Sequence, residues 1–180
     1  MKIATIYPNN YFFPDKTVQS FLKVAPYYSI IQVQSHSVPD NRNRIWEKRD
    51  DDLLFIDADM TFELEDVRKI EEHLKTYDII TGLYLLPNES PAILKRGEKD
   101  YEFINPQKGI FEIDACGAGF LGISKRVSLP PNPFSNIWEG ALIHGEDVSF
   151  CHRAKEAGIK IWCDSDIKLG HVRIRVYKPE

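Results

Sequence analysis

Leu53-Leu54-Phe55-Ile56-Asp57-Ala58-Asp59 runs four apolar residues straight into two carboxylates that flank one small residue. The apolar run is too short for a confident helix and ends at a polar break, so it reads as a buried strand. In open α/β sheets ligands bind outside the carboxyl ends of the strands, which is where this strand carries its acids. Strand side chains alternate, so Asp57 and Asp59 are expected to point the same way and Ala58 away from them. Two carboxylates aimed at one spot repel unless a cation, a proton or a donor lies between them. A hard divalent ion carrying phosphates suits that spot, whereas a plain solvated strand end needs no ligand.

The surrounding sequence repeats the strand and helix alternation. Lys2 to Tyr7 reads as a first strand broken by Pro8-Asn9-Asn10. Asp15 is placed to cap a helix over Thr17 to Val24, with Val18, Phe21, Leu22 and Ala25 on its apolar face. Tyr28 to Val33 reads as a second strand, and Pro39-Asp40-Asn41 opens a short helix carrying Arg42, Arg44, Ile45 and Trp46. Glu63 to Thr76 has Leu64, Val67, Ile70 and Leu74 at helical spacing. Asp78 to Leu86 follows as a strand interrupted by Gly82. This order predicts a largely parallel, helix-covered sheet.

The second half predicts short strands at Ala92 to Lys95, Tyr101 to Ile104, Ile110 to Ile113 and Phe120 to Ile123. A helix over Val148 to Ala157 closes at Gly158, and a strand covers Ile159 to Cys163. A further strand is expected within Ile167 to Val176.

Composition narrows the partners. The 180 residues carry a net charge of −4, which provides no basic field for nucleic acid. No apolar stretch approaches the ~20 residues that cross a bilayer. The N-terminal residues are strand-like and lack the apolar core of a signal peptide, which points to a cytoplasmic protein. Cys116, Cys151 and Cys163 have no zinc spacing and read as buried free thiols.

Three further groups carry chemistry. Glu146 and Asp147 follow Gly145 at a predicted helix start; Asp there is ordinarily a cap, but beside a phosphate-bearing ion it can take a proton from an alcohol. His171, after Gly170, is a single imidazole able to add a ligand to an ion already held by carboxylate. Arg42 or Arg44 can reach a diphosphate, or form a solvated basic face. Gly117, Gly119 and Gly122 are too irregular for a dinucleotide fingerprint; they let the backbone approach a ligand or simply turn.

These pieces resemble the GT-A-fold glycosyltransferases, family 2-like, through most of the chain. Asn41-Arg42-Asn43-Arg44 resembles the Arg-Asn element, Leu54 to Asp59 the metal and nucleotide motif, and Ile113 to Phe120 the glycine-bearing acceptor segment. Gly145 to Ala154 resembles the Glu-Asp catalytic segment, and Ala157 to Trp162 with His171 completes the order. The resemblance implies one α/β GT-A-like domain over residues 1–180. Its central, mostly parallel sheet would be flanked by helices, with a small antiparallel second sheet. Residues 1–86 would form the nucleotide-binding half and 87–180 the acceptor-binding and catalytic half.

The activity implied is transfer from a nucleotide-diphosphate sugar, UDP-linked by default, to the hydroxyl of a glycan or other acceptor, with inversion. Asp57, Asp59 and His171 would hold Mn²⁺ or Mg²⁺. Pro8, Arg42, Arg44, Asp57, Ala58, Asp59 and Gly117 would bind the donor, Asp147 would be the base assisted by Glu146, and Gly119 and Trp138 would meet the acceptor. Gln34-Ser35-His36-Ser37 lacks the acidic pair that commonly reads the base. Two alternatives stand beside this one: a haloacid-dehalogenase-type phosphatase with Asp57 as nucleophile, and a non-catalytic sugar-nucleotide-binding module.

Overall fold

The structure, a computed structural model, describes residues 1–8, 13–35, 37–140 and 142–173. In chain order the first half holds β1 (Lys2–Pro8), α1 (Asp15–Val24), β2 (Ile30–Ser35), α2 (Val38–Glu47), β3 (Leu53–Asp57), β4 (Met60–Thr61), α3 (Leu64–His73) and β5 (Ile79–Leu83). The second half holds β6 (Ile93–Arg96), β7 (Tyr101–Phe103), β8 (Ile110–Ile113), β9 (Ala115–Cys116), β10 (Phe120–Ile123), β11 (Ile137–Glu139), β12 (Leu142–His144), α4 (Glu146–Glu156), β13 (Ile161–Lys168) and β14 (Gly170–His171).

The main sheet has seven strands in the order β2-β1-β3-β10-β5-β13-β8. β1 pairs in parallel with β2 and β3, and β13 with β5. β10 runs antiparallel between β3 and β5, and β8 antiparallel along β13. The expected α/β architecture is therefore present: a mostly parallel central sheet with small antiparallel sheets beside it. Three of its strands, β8, β10 and β13, come from the second half of the chain.

β3 shows why the opening apolar run has no polar gap. Leu53 and Phe55 enter a core layer with Trp46, Phe134 and Phe150, while Leu54 and Ile56 enter a second layer with Ile70, Leu74 and Phe120. A strand covered on both faces needs a continuous apolar run. Phe134 and Phe150 stack at 4.4 Å in the first layer.

Gly122 in β10 lies under α3, where an added Cβ would come within 2.6 Å of Ile70 Cγ2. Gly122→Ala is therefore expected to overpack this layer and cost about 1–3 kcal/mol. A urea midpoint equal to that of the parent protein would refute this.

Several local expectations are corrected. α1 is capped by Pro14 without a side-chain hydrogen bond, and Asp15 is its first helical residue. The buried face of α1 is Thr17, Ser20 and Val24, and Leu22 is 66% exposed. The cause is Ser20, whose Oγ accepts the Phe62 N–H at 3.0 Å where α1 crosses the turn after β3. The apolar side of α1 (Val18, Phe21, Leu22, Ala25) lines an outward trough with Phe13 and Ile30.

β13 does not stop at Cys163 but continues through Asp164, Ser165 and Asp166 to Lys168. Buried Asp164 is tolerated because His73 Nε2 lies 2.8 Å from it, and Ser165 accepts the Gly109 N–H at 2.9 Å. The strand expected within Ile167 to Val176 is accordingly the end of β13 plus the short β14; residues 174–176, like Asn9, Asn10 and His36, lie outside the described residues. α3 carries a capping box between Glu63 and Asp66, and Gly158 closes α4 with φ +77°. All three cysteines are free and buried.

Candidate active site

Parallel strands bring their carboxyl ends to one edge, and most of the candidate residues sit there. Asp57 ends β3, Tyr84 follows β5, and His171 lies just past β13. β14 folds back on β4 with His171 opposite Met60, and Val172 N–H donates to the Asp59 carbonyl at 2.8 Å. Gly170 makes this approach possible, because a Cβ there would fall 2.2 Å from Thr61 Oγ1. His171 Nε2 thus lies 3.1 Å from Asp59 Oδ2, and its Nδ1 lies 3.0 Å from the Leu85 carbonyl.

Asp57 is turned elsewhere. Its Oδ1 accepts from Arg42 Nη2 at 2.9 Å. Arg42 is 2% exposed; its Nη1 donates to the Ala118 carbonyl at 3.1 Å, and its Nε lies 3.5 Å from Glu146 Oε1. The guanidinium sits 5.4 Å from the centre of the Phe55 ring. Burial works against the charge on Arg42, but Asp57, Glu146 and Asp147 outweigh it and raise its pKa. For Asp57 the balance tips the other way: burial raises its pKa, aided by Asp59 and Glu146, against the lowering by Arg42.

The opposite wall is the first turn of α4. Gly145 is the N-cap, so Glu146 and Asp147 are helical residues rather than caps. Ser149 fastens this turn to the β11–β12 hairpin, donating to the His144 carbonyl and accepting from Ile137 N–H, both at 3.0 Å. Asp147 Oδ1 accepts the Val148 N–H at 2.8 Å. Burial, then the charge of Glu146, push the Asp147 carboxyl up to about 6 despite Arg42.

A cavity of 370 Å³ opens between these walls, lined by Arg42, Asp57, Asp59 and His171 on one side and Glu146 and Asp147 on the other. Leu86, Leu94, Phe103 and Val148 give it an apolar flank. A smaller recess of 250 Å³, lined by Ile6, Val38 and Ala58, adjoins it through Arg42, Asp57, Asp59 and Glu146.

The sequence matches no protein-family model and no curated protein. Solved structures do match. A197 from STIV aligns over 100% of this chain and 98% of its own at 20% identity and a TM-score of 0.59. GalNAc-T7, solved with UDP, GalNAc and Mn²⁺, aligns over 96% of this chain at 9% identity and a TM-score of 0.61. The fold is of the GT-A type. This chain spans 43% of that GalNAc-T7 chain, and at these identities the likeness is one of fold alone. The inositol-1-phosphate CTP transferase from T. maritima aligns over 93% of this chain at 9% identity and a TM-score of 0.49.

Against this GT-A framework, the expected three-ligand ion site is not assembled. Among the described residues no group of three His, Cys, Asp or Glu side chains is disposed to hold an ion. Asp57 is engaged by Arg42, and β3 ends at Asp57, so strand alternation does not carry through to Asp59 in the turn that follows. Asp59 and His171 remain a fitting pair for a hard divalent ion, one carboxylate and one imidazole facing the cavity. The Leu85 carbonyl is placed to take the Nδ1–H, which orients Nε2. Without an ion the same contacts, led by the Asp59 hydrogen bond, raise the pKa of His171.

The other expected residues scatter. Arg44 is exposed and lines neither hollow, because α2 turns Asn41, Arg42, Ile45 and Trp46 inward instead. Trp138 is 69% exposed on β11 and Phe134 is core, so neither lines the cavity, whereas Phe103 and Tyr84 do. Gly119 gives its carbonyl to Asp57 N–H at 3.0 Å. Gly117 lines the cavity, and an added Cβ there would lie 2.2 Å from the Tyr84 hydroxyl. Pro8 ends β1 opposite Ser35, and its side chain lies outside the described residues.

Tyr84 and Arg173 also belong to the cavity, with Arg173 Nη1 3.7 Å from Asp59 Oδ2. Neither was singled out from sequence. Tyr84 was reachable by the strand-end rule that found Asp57, whereas nothing local marks Arg173. No helix among the described residues is long and apolar enough to cross a membrane.

Proposed function

We propose that this chain is a glycosyltransferase that moves a sugar from a nucleotide-diphosphate donor to an acceptor hydroxyl, with inversion. The observation that carries this reading is the two-walled cavity. Asp59 and His171 face it from the strand edge and Asp147 from the α4 turn, with one buried arginine between the walls.

In this reading the nucleoside occupies the recess beside Ile6, Val38 and Ala58, and the diphosphate lies towards Asp59 and His171. These two residues would hold Mn²⁺ or Mg²⁺, which when bound would supply Lewis-acid stabilisation of the diphosphate. Asp147 accepts the proton of the acceptor hydroxyl as its oxygen bonds to the anomeric carbon. The bond from that carbon to the diphosphate oxygen breaks, and its electron pair leaves with the diphosphate. Glu146 and Arg42 keep the base and the strand edge at a fixed separation. The apolar flank receives the face of an acceptor sugar or another hydroxyl-bearing compound. The whole of residues 1–180 would act as one unit.

The phosphatase alternative asks Asp57 to be a free nucleophile, and its engagement by Arg42 speaks for the transferase instead.

A thermal-shift panel of UDP-, GDP-, dTDP-, CDP- and ADP-sugars with and without Mn²⁺ tests the reading. One donor is expected to raise the melting temperature when the ion is present, by about 2–4 °C per kcal/mol of binding. Asp59→Asn is expected to abolish the ion's contribution. No stabilisation by any donor, with Mn²⁺ or Mg²⁺, would overturn it.

A further inference from the structure

One buried polar group in the cavity has no part in the chemistry above. Tyr84 is 5% exposed and lines the cavity floor. Its backbone is fixed by the Ala92 N–H, which donates to the Tyr84 carbonyl at 3.0 Å, and its ring stands edge-on to His171 at 5.6 Å. Its hydroxyl accepts the Gly119 N–H at 3.1 Å. The hydroxyl's own proton has no acceptor among the described residues.

Glycine at 117 and 119 makes room for this phenol: an added Cβ would lie 2.2 and 2.9 Å from its oxygen. Leaving such a donor unmatched is costly, which points to a partner that arrives with the ligand.

The position of the hydroxyl names that partner. It lines the same cavity as Asp57, at the donor edge, and Asp147, the proposed base. In the transferase reading, on which this inference rests, the sugar to be moved lies between them. We propose that the Tyr84 hydroxyl donates a hydrogen bond to a hydroxyl oxygen of the transferred sugar, making Tyr84 a residue that selects which sugar is moved.

Tyr84→Phe tests this, because it keeps the ring against His171 and removes only the O–H. Calorimetry would compare the nucleoside diphosphate and the nucleotide sugar that stabilises the parent protein. Steady-state assays would add singly deoxygenated versions of that donor. The variant is expected to bind the nucleoside diphosphate within about twofold of the parent and the nucleotide sugar about 10-fold more weakly. One deoxy donor, poor for the parent protein, should be used equally well by both. Gly117→Ala, which displaces the hydroxyl, should show the same selective loss if the Phe variant folds poorly.

Equal weakening towards the diphosphate and the sugar donor would make Tyr84 a prop for His171 and overturn the proposal. So would a Phe variant that retains full discrimination among deoxy donors. A parent protein that binds nucleoside diphosphates but no nucleotide sugar overturns it too. Failure of the parent to bind either class instead refutes the transferase reading, and this assignment with it.

Discussion

Asp147→Asn is expected to lower turnover by about a thousandfold while the protein still binds its nucleotide sugar. General-base catalysis contributes roughly 10²–10⁴-fold, and the amide cannot take the acceptor's proton. Because the Asp147 carboxyl is pushed up to about 6, the parent enzyme should gain activity as pH rises through that value and level off above it. An ordinary carboxylate base would have reached its plateau near pH 5.

Stability should move the opposite way. An acid whose folded-state pKa exceeds its unfolded value costs the fold energy when it ionises. That cost is absent below about pH 4, grows between about 4 and 6, and is complete above. The rise of the carboxyl to about 6 corresponds to roughly 2.7 kcal/mol, and the partial exposure of Asp147 reduces this to about 1–2. The Asn variant should therefore melt a few degrees above the parent at pH 8 and match it at pH 4. Unchanged turnover would remove Asp147 as the base; a lower melting temperature at pH 8 would contradict the burial argument.

Arg42→Met is the second large effect. The guanidinium holds Asp57, the Ala118 carbonyl and Glu146 from a position almost sealed from water. Without it, Asp57, Glu146 and Asp147 lose the buried cation they share. Removing one partner of a buried pair costs about 3–5 kcal/mol, and the partial exposure of Asp57 and Glu146 brings the expectation to roughly 2–4 at neutral pH. The deficit should shrink as pH falls and the carboxylates protonate. Lysine restores the charge but lacks the planar fork that makes these contacts together, so Arg42→Lys should fall between. Urea unfolding at pH 7.5 and pH 4.5 measures both, and a Met variant as stable as the parent at both pH values would sink the idea.

The parallel first half of the sheet was legible because β3 is covered on both faces and its composition says so. Glu146, Asp147, Asp59 and His171 were legible as ligand-bearing types at strand ends and a helix start. The division of labour between Asp57 and Asp59 was not. Alternation predicts both side chains on one side, but β3 ends at Asp57, and the engagement of Asp57 by Arg42 is a tertiary fact that no local spacing encodes. α1 misled for a related reason: its apolar stripe is real, yet the free N–H of Phe62 draws Ser20 inward. β13 was cut short because Asp164 and Asp166 read as a break, and only the approach of His73 explains a buried acid there. Gly117 and Gly119 were visible as gaps in the sequence, and what fills them, the Tyr84 phenol, came from a strand end far away in the chain.

The place of β10 in the sheet bears on how the molecule is made. β3 and β5 are its two neighbours, and both leave the ribosome well before it does. Until residues 120–123 have been translated, each of these apolar strands holds an unpaired edge open to any passing strand. A nascent chain stalled shortly after β5 therefore lacks the wedge that joins the two sides of the sheet.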